Sequence, residues 1–133
     1  MAQSTRKGEA NAIVVEQEVR RDGEDSEPRK METFVPQARR YLVATARDHR
    51  LVPYMEMANA HGGRGYFGQV LDELNRREHA KGHPLISAIV VSAQSHEPSE
   101  GFYKLVEELK LASGRSRRQI WETERDRVWA FDW

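Results

Sequence analysis

From Thr33 onward the apolar positions recur at helical spacing. Phe34, Ala38, Tyr41, Leu42 and Thr45 fall at i, i+4, i+7, i+8 and i+11, opposite Arg39, Arg40, Arg47 and Asp48. Thr33 supplies an N-cap and Pro36 fits the first turn, so a helix is predicted from Thr33 to about His49. Leu51, Val52 and Pro53 must then be extended, because proline disfavours a helical residue before it. Tyr54 opens a short helix that stops at Gly62 and Gly63. A third helix runs from Gly65 or Tyr66 to Ala80, with Phe67, Val70, Leu71 and Leu74 on one face and Gly82 and Pro84 at its end.

Leu85 to Ser92 is β-branched and apolar on both alternating faces, which predicts a central strand. The polar stretch from Ala93 to Gly101 has the size of a wing. Phe102, Leu105, Val106 and Leu109 mark a fourth helix, and Gly114 separates it from a fifth. Ser116 and Gln119 have capping-box spacing at the start of that fifth helix, which continues through Ile120, Trp121 and Val128. Trp129, Phe131 and Trp133 alternate like a short strand. The predicted fold class is α+β, mostly helical: a winged-helix-like domain over residues 33–133, with about five helices, one central strand and a short aromatic C-terminal strand.

Residues 1–32 carry little that could enter a core apart from Ile13, Val14, Val15 and Val19, and they read as a disordered, charged tail. The cluster from Ala12 to Val15 suits either a short strand or a partner-binding stub, and the stretch from Arg20 to Pro28 reads as a solvated linker. A chain of 133 residues suits one folded domain. With 21 basic and 21 acidic side chains the net charge is zero, so no bulk field draws the chain to DNA or to an anionic membrane, and any nucleic-acid affinity must be local. The absence of cysteine excludes disulfides, thiolate metal sites and cysteine nucleophiles. There is no secretion-signal h-region and no apolar run long enough for a membrane span, so a cytoplasmic location and no membrane contact are expected.

Two resemblances follow from the motifs. Tyr54 to Ala58, Pro84 to Val91 and Gly101 to Tyr103 resemble the Tyr-x-Glu-Leu-Ala helix, the Pro-Leu-Leu-Ser-Ala-Leu-Val-Val strand and the Gly-Phe-Tyr helix start of small, mainly bacterial proteins of unassigned function. This likeness covers residues 34–131 and implies no activity. Tyr54, Glu56, Ala58, Gly68, Pro84, Val90 and Val91 are also similar in kind and order to the winged-helix domain of the alkylguanine-DNA alkyltransferases. That likeness implies a recognition helix set against duplex DNA. Where that family keeps its acceptor cysteine this chain has Leu85 and Ile86, and the arginine it inserts into the duplex would fall near Gly65, one residue from Arg64. Methyl transfer is thereby excluded, and DNA binding is what the shape implies.

The candidate DNA contacts are Tyr54, Arg64, Tyr66 and Gln69 around the recognition-helix start, where free backbone N–H groups favour phosphate. Arg76 and Arg77 lie further along, although with Glu73 and Glu78 they equally describe an ordinary mixed-charge solvent face. Arg115, Arg117 and Arg118, with Lys110, form a second basic cluster suited to a phosphate backbone, to an acidic partner or simply to solubility. Trp121, Trp129, Phe131 and Trp133 are expected to cover the outer face of the strand from Leu85 to Ser92, whereas an aromatic tail of Trp129, Phe131 and Trp133 left exposed would present an interaction surface to a second copy or another protein.

His79 and His83 have the spacing of helical zinc ligands, but Gly82 and Pro84 interrupt the helix and no third ligand follows, so no metal is expected. His96, Glu97, Ser95 and Ser99 lack a nucleophile elbow or orienting group, and Gly62 to Gly65 lacks the strand and Lys-Ser/Thr ending of a phosphate loop. No catalytic residue and no cofactor are expected. The sequence predicts a non-enzymatic module that binds duplex DNA, or alternatively a protein-interaction or homodimerisation module.

Overall fold

The computed structural model describes residues 22–112 and 114–133, with backbone alone for residues 22–30 and Arg64. The chain divides into two units, residues 1–32 and 33–133. Of the first, residues 22–32 are described and are helical, while the stretch from Ala12 to Val15 lies outside the described residues. Helix α1 spans Asp22–Arg47. It therefore begins eleven residues before Thr33, which is an interior residue and not the cap. Pro36 also sits inside the helix; it has no N–H to donate to the carbonyl of Glu32, four residues back and the last residue of the first unit.

In the second unit α1 buries Val35, Ala38, Leu42, Val43, Thr45 and Ala46; of the stripe read from the spacing Ala38, Leu42 and Thr45 are buried, while Phe34 is half-buried and Tyr41 is exposed. The helix closes where Arg50 N–H donates to the Thr45 carbonyl and His49 takes a positive φ of 54°. Strand β1 is Val52–Pro53, followed directly by α2 (Tyr54–Ala60) and α3 (Arg64–Ala80). Between the helices Gly63 N–H reaches back 2.7 Å to the Ala58 carbonyl. Gly62, at φ 106°, tolerates no side chain, since a Cβ there would stand 2.8 Å from a ring carbon of Tyr66. Phe67, Val70 and Leu74 of α3 are fully buried.

The segment expected to be a central strand is central but not a strand. Ile86–Ile89 forms a 3-10 turn, and only Val90–Val91 extends as β2, pairing in parallel with β1 in the register Val52 with Val90 and Pro53 with Val91. The reason lies in where its backbone groups find partners. Leu85 N–H donates to Glu124 at 2.7 Å and Ser87 N–H to Asn75 at 3.1 Å, while the Ala88 carbonyl accepts from the Trp121 indole at 2.8 Å. Side chains of α3 and the last helix thus do what a sheet ladder would otherwise do, and every residue from Leu85 to Ile89 is buried without one.

Of residues 93–101, expected as a wing, 93–97 are turns and bends and 100–101 already belong to the next helix, and the β1–β2 pair is the one sheet among the described residues. Helix α4 (Glu100–Glu108) buries Phe102, Tyr103, Leu105 and Val106. Helix α5 (Arg117–Ala130) starts on the predicted capping box: Gln119 N–H donates to Ser116 Oγ at 3.2 Å, and Ser116 N–H to Gln119 Oε1 at 3.1 Å. Trp129 belongs to α5, and residues 131–133 pair with no strand among the described residues; the Phe131 and Trp133 rings pack on each other and on His83. The fold is α+β and mostly helical, with the 85–91 segment held between α3 and α5.

Candidate binding surfaces

The start of α3 is exposed at Gly65 and Gln69, while the side chain of Arg64 lies outside the described residues. The two tyrosines expected there are packed into the fold. Tyr54 is half-buried with its ring edge-on to Phe67 at 5.1 Å, and burial raises its phenol pKa. Tyr66 is half-buried against Phe34, edge-on at 6.4 Å.

Further along α3 the arginines are held by acids of the same chain. Arg76 makes a bidentate pair with Glu108 of α4, at 2.6 and 2.9 Å, and also bonds Asp72 at 2.8 Å. These bonds raise the Arg76 pKa and hold the Glu108 carboxyl below its ordinary value. Arg77 bonds Glu73 at 2.8 Å. The fourth residue of the expected solvent face is not on it: the Glu78 side chain is 1% exposed. It accepts from Arg39 at 2.9 Å and from His83 at 2.7 Å, with Lys81 at 3.2 Å. Burial would push its carboxyl up, but these three hydrogen bonds outweigh that and hold it below its ordinary value. His83 is thus engaged with Glu78, and α3 ends at Ala80, so His79 and His83 do not share a helix.

The second basic cluster divides. Arg117 grips Glu100 with both guanidinium nitrogens and lies over the Tyr103 ring at 4.6 Å, and Arg118 bonds Glu122 at 3.0 Å. The Arg117 bonds hold the Glu100 carboxyl below its ordinary value. Arg115 reaches only the Thr123 hydroxyl, at 3.4 Å, and neither it nor Lys110 has a carboxylate partner among the described residues.

Those two cations rim a groove of about 430 Å³ between the end of α4 and α5, floored by Val106, Leu111, Ala112 and Ile120 and bounded by Thr123, Glu124 and Arg127. A smaller hollow of about 260 Å³ adjoins it, sharing Val106, Ala112, Arg115 and Ile120 and adding Tyr103, Lys104, Glu107 and Arg117. The Tyr103 hydroxyl is buried and has no hydrogen-bond partner, and burial raises its pKa. Leu111 is 38% exposed, unusual for a large aliphatic side chain in this fold. The cations here were legible in the sequence; the apolar floor was not, because it joins residues of two helices and the loop between them.

The aromatic C-terminus is half-buried and tied to its own chain. Trp129 donates to the Arg50 carbonyl at 3.2 Å and stacks on His49, with ring centres 6.0 Å apart. Phe131 and Trp133 pack together at 4.6 Å, Phe131 meets His83 at 4.6 Å, and Arg47 donates to the Trp133 carbonyl. It is Trp121, and not these three, that lies against the 85–91 segment.

Among the described residues no group of three or more His, Asp or Glu side chains could hold a metal ion, and no helix is long and apolar enough to cross a membrane. Comparison with known proteins finds no matching family model, no matching curated protein and no matching solved structure.

Proposed function

We propose that residues 33–133 act as a non-enzymatic protein-docking module whose partner seats in the groove between α4 and α5. The observation that carries this reading is the division of the cations: Arg76, Arg77, Arg117 and Arg118 are bound to carboxylates, whereas Lys110 and Arg115, beside exposed apolar surface, have no carboxylate partner among the described residues. A concave, partly apolar site with a few polar groups at its rim is the usual form of a docking pocket.

The DNA-binding reading draws on the exposed start of α3 and on the α2, glycine-turn, α3 order, which alone carry the winged-helix likeness. Phosphate contact by the four paired arginines would first require breaking their ion pairs with Asp72, Glu108, Glu73, Glu100 and Glu122. The groove offers its two cations at no such cost, which favours the protein partner.

Anisotropy of labelled random duplex DNA, followed from about 50 to 200 mM salt, tests the choice. No saturable signal is expected. Binding with a steep negative salt slope would overturn the docking reading. A photo-crosslinking residue placed at Leu111 should capture protein in cells, while the same residue at Gln69 should not; the reverse pattern would move the interface to α3.

A further inference from the structure

Resting on the docking reading, we infer that the groove takes a short segment of a partner protein carrying one aliphatic side chain beside one or two carboxylates. The aliphatic requirement comes from the floor, which Val106, Ile120 and Leu111 line together, Leu111 being left 38% exposed. Covering that surface with another apolar side chain is favourable, whereas a free inorganic anion would leave it wet.

The acidic requirement comes from the rim. Among the described residues Lys110 and Arg115 have no carboxylate partner, and the arginine has only a long bond to the Thr123 hydroxyl. Charge complementarity therefore selects carboxylates at these two points. The surroundings limit their number: Glu107 borders the adjoining hollow, and Glu122 and Asp126 lie on the other side of Arg115. A polymer bearing a charge at every unit, such as a phosphodiester strand or a polyglutamate run, would meet those acids. A segment with its carboxylates confined to the positions facing Lys110 and Arg115 would not.

The test uses the full chain and a fluorescein-labelled, acetylated peptide of about eight residues, with one leucine flanked by two glutamates in a serine and glycine background, read by anisotropy. Binding is expected, weakened about tenfold when the glutamates become glutamine and about tenfold or more when the leucine becomes serine. On the protein, Lys110→Ala with Arg115→Ala should weaken the probe about fivefold or more, and Leu111→Ser about tenfold. Arg40→Ala, which removes a charge from the exposed side of α1, should change nothing. Urea midpoints of each variant confirm that the fold is intact.

Absence of binding at about 1 mM peptide, or equal binding of the glutamine peptide, overturns the inferred ligand. If duplex DNA is also silent and the Leu111 crosslink persists, the docking reading stands and only its ligand class falls. If duplex DNA binds and displaces the probe, both fall together. Displacement by inorganic phosphate as effective as that by unlabelled peptide would show an anion site without an aliphatic requirement, and would also overturn the inference.

Discussion

Replacing Glu78 with alanine removes an acceptor shared by Arg39, Lys81 and His83 at the junction of α1, α3 and the loop that follows α3. Arg39, Lys81 and His83 would each lose a carboxylate contact at 2.9, 3.2 and 2.7 Å. Breaking a wholly buried pair costs about 3–5 kcal/mol, because the remaining charge is stranded. Here the Arg39, Lys81 and His83 side chains keep 36%, 51% and 24% of their exposure and can partly rehydrate, which brings the expected cost of Glu78→Ala down to about 2–3 kcal/mol. Glu78→Gln, which keeps the shape and loses the charge, should cost about 1–2 kcal/mol. Urea midpoints at pH 7 with unchanged m-values give these numbers directly, and a folded unit of this size should lose about 10–20 °C in Tm for the alanine variant. The pH dependence gives a sharper check. Because the folded carboxyl is held below its ordinary 4.5, its stabilisation is fully present above that value and is lost as the pH falls through the depressed folded value. Glu100 and Glu108 share that sign, but they do so in both proteins and drop out of the difference. The gap between wild type and Glu78→Gln should therefore narrow below pH 4.5. An alanine variant losing less than about 0.5 kcal/mol, or a gap that stays constant into acid, would refute the reasoning.

Tyr103→Phe deletes a buried hydroxyl that has no partner, so it should leave stability unchanged or raise it by up to about 1 kcal/mol in urea melts; a loss of that size would reveal a bond the fold does not display. Ser116→Ala breaks the capping box at the start of α5 and should cost about 1 kcal/mol by the same measurement, with Ser116→Asp recovering most of it; an unchanged midpoint would show that the box contributes nothing.

The helices were legible because each rests on a local rule. The stop at Gly62 and Gly63 and the Ser116 and Gln119 box are set within a few residues and stand in the structure, while of the α1 stripe Ala38, Leu42 and Thr45 are buried, Phe34 is half-buried and Tyr41 is exposed. The start of α1 and the strand at residues 85–92 were not legible, for different reasons. Pro28 and Pro36 read as boundary signals, yet the helix runs through both. The apolar run from Leu85 was correctly read as buried, but burial does not decide between ladder and turn. That choice belongs to Asn75, Trp121 and Glu124, whose sequence positions are 12 to 39 residues from the groups they satisfy. Glu78 was within reach: it falls four residues after Leu74 on the core stripe of α3, and only its charge argued for solvent.

Helix α5 shows how core and groove coexist without conflict. Trp121, Glu124 and Val128 point inward at i, i+3 and i+7, while Ile120, Thr123 and Arg127, at the same spacing displaced by one residue, line the groove. Two stripes set about 100° apart on one helix allow the groove face to be changed while the anchoring face stays in place. Glu124 joins the two: one oxygen accepts from Leu85 N–H in the core and the other from Arg127 at 2.7 Å at the groove edge. A carboxylate arriving in the groove therefore finds Arg127 already engaged, and Lys110 and Arg115 are the cations left to meet it. On the proposed docking reading, the same carboxylate that fixes the central segment thereby confines the charge selectivity of the groove to its loop side.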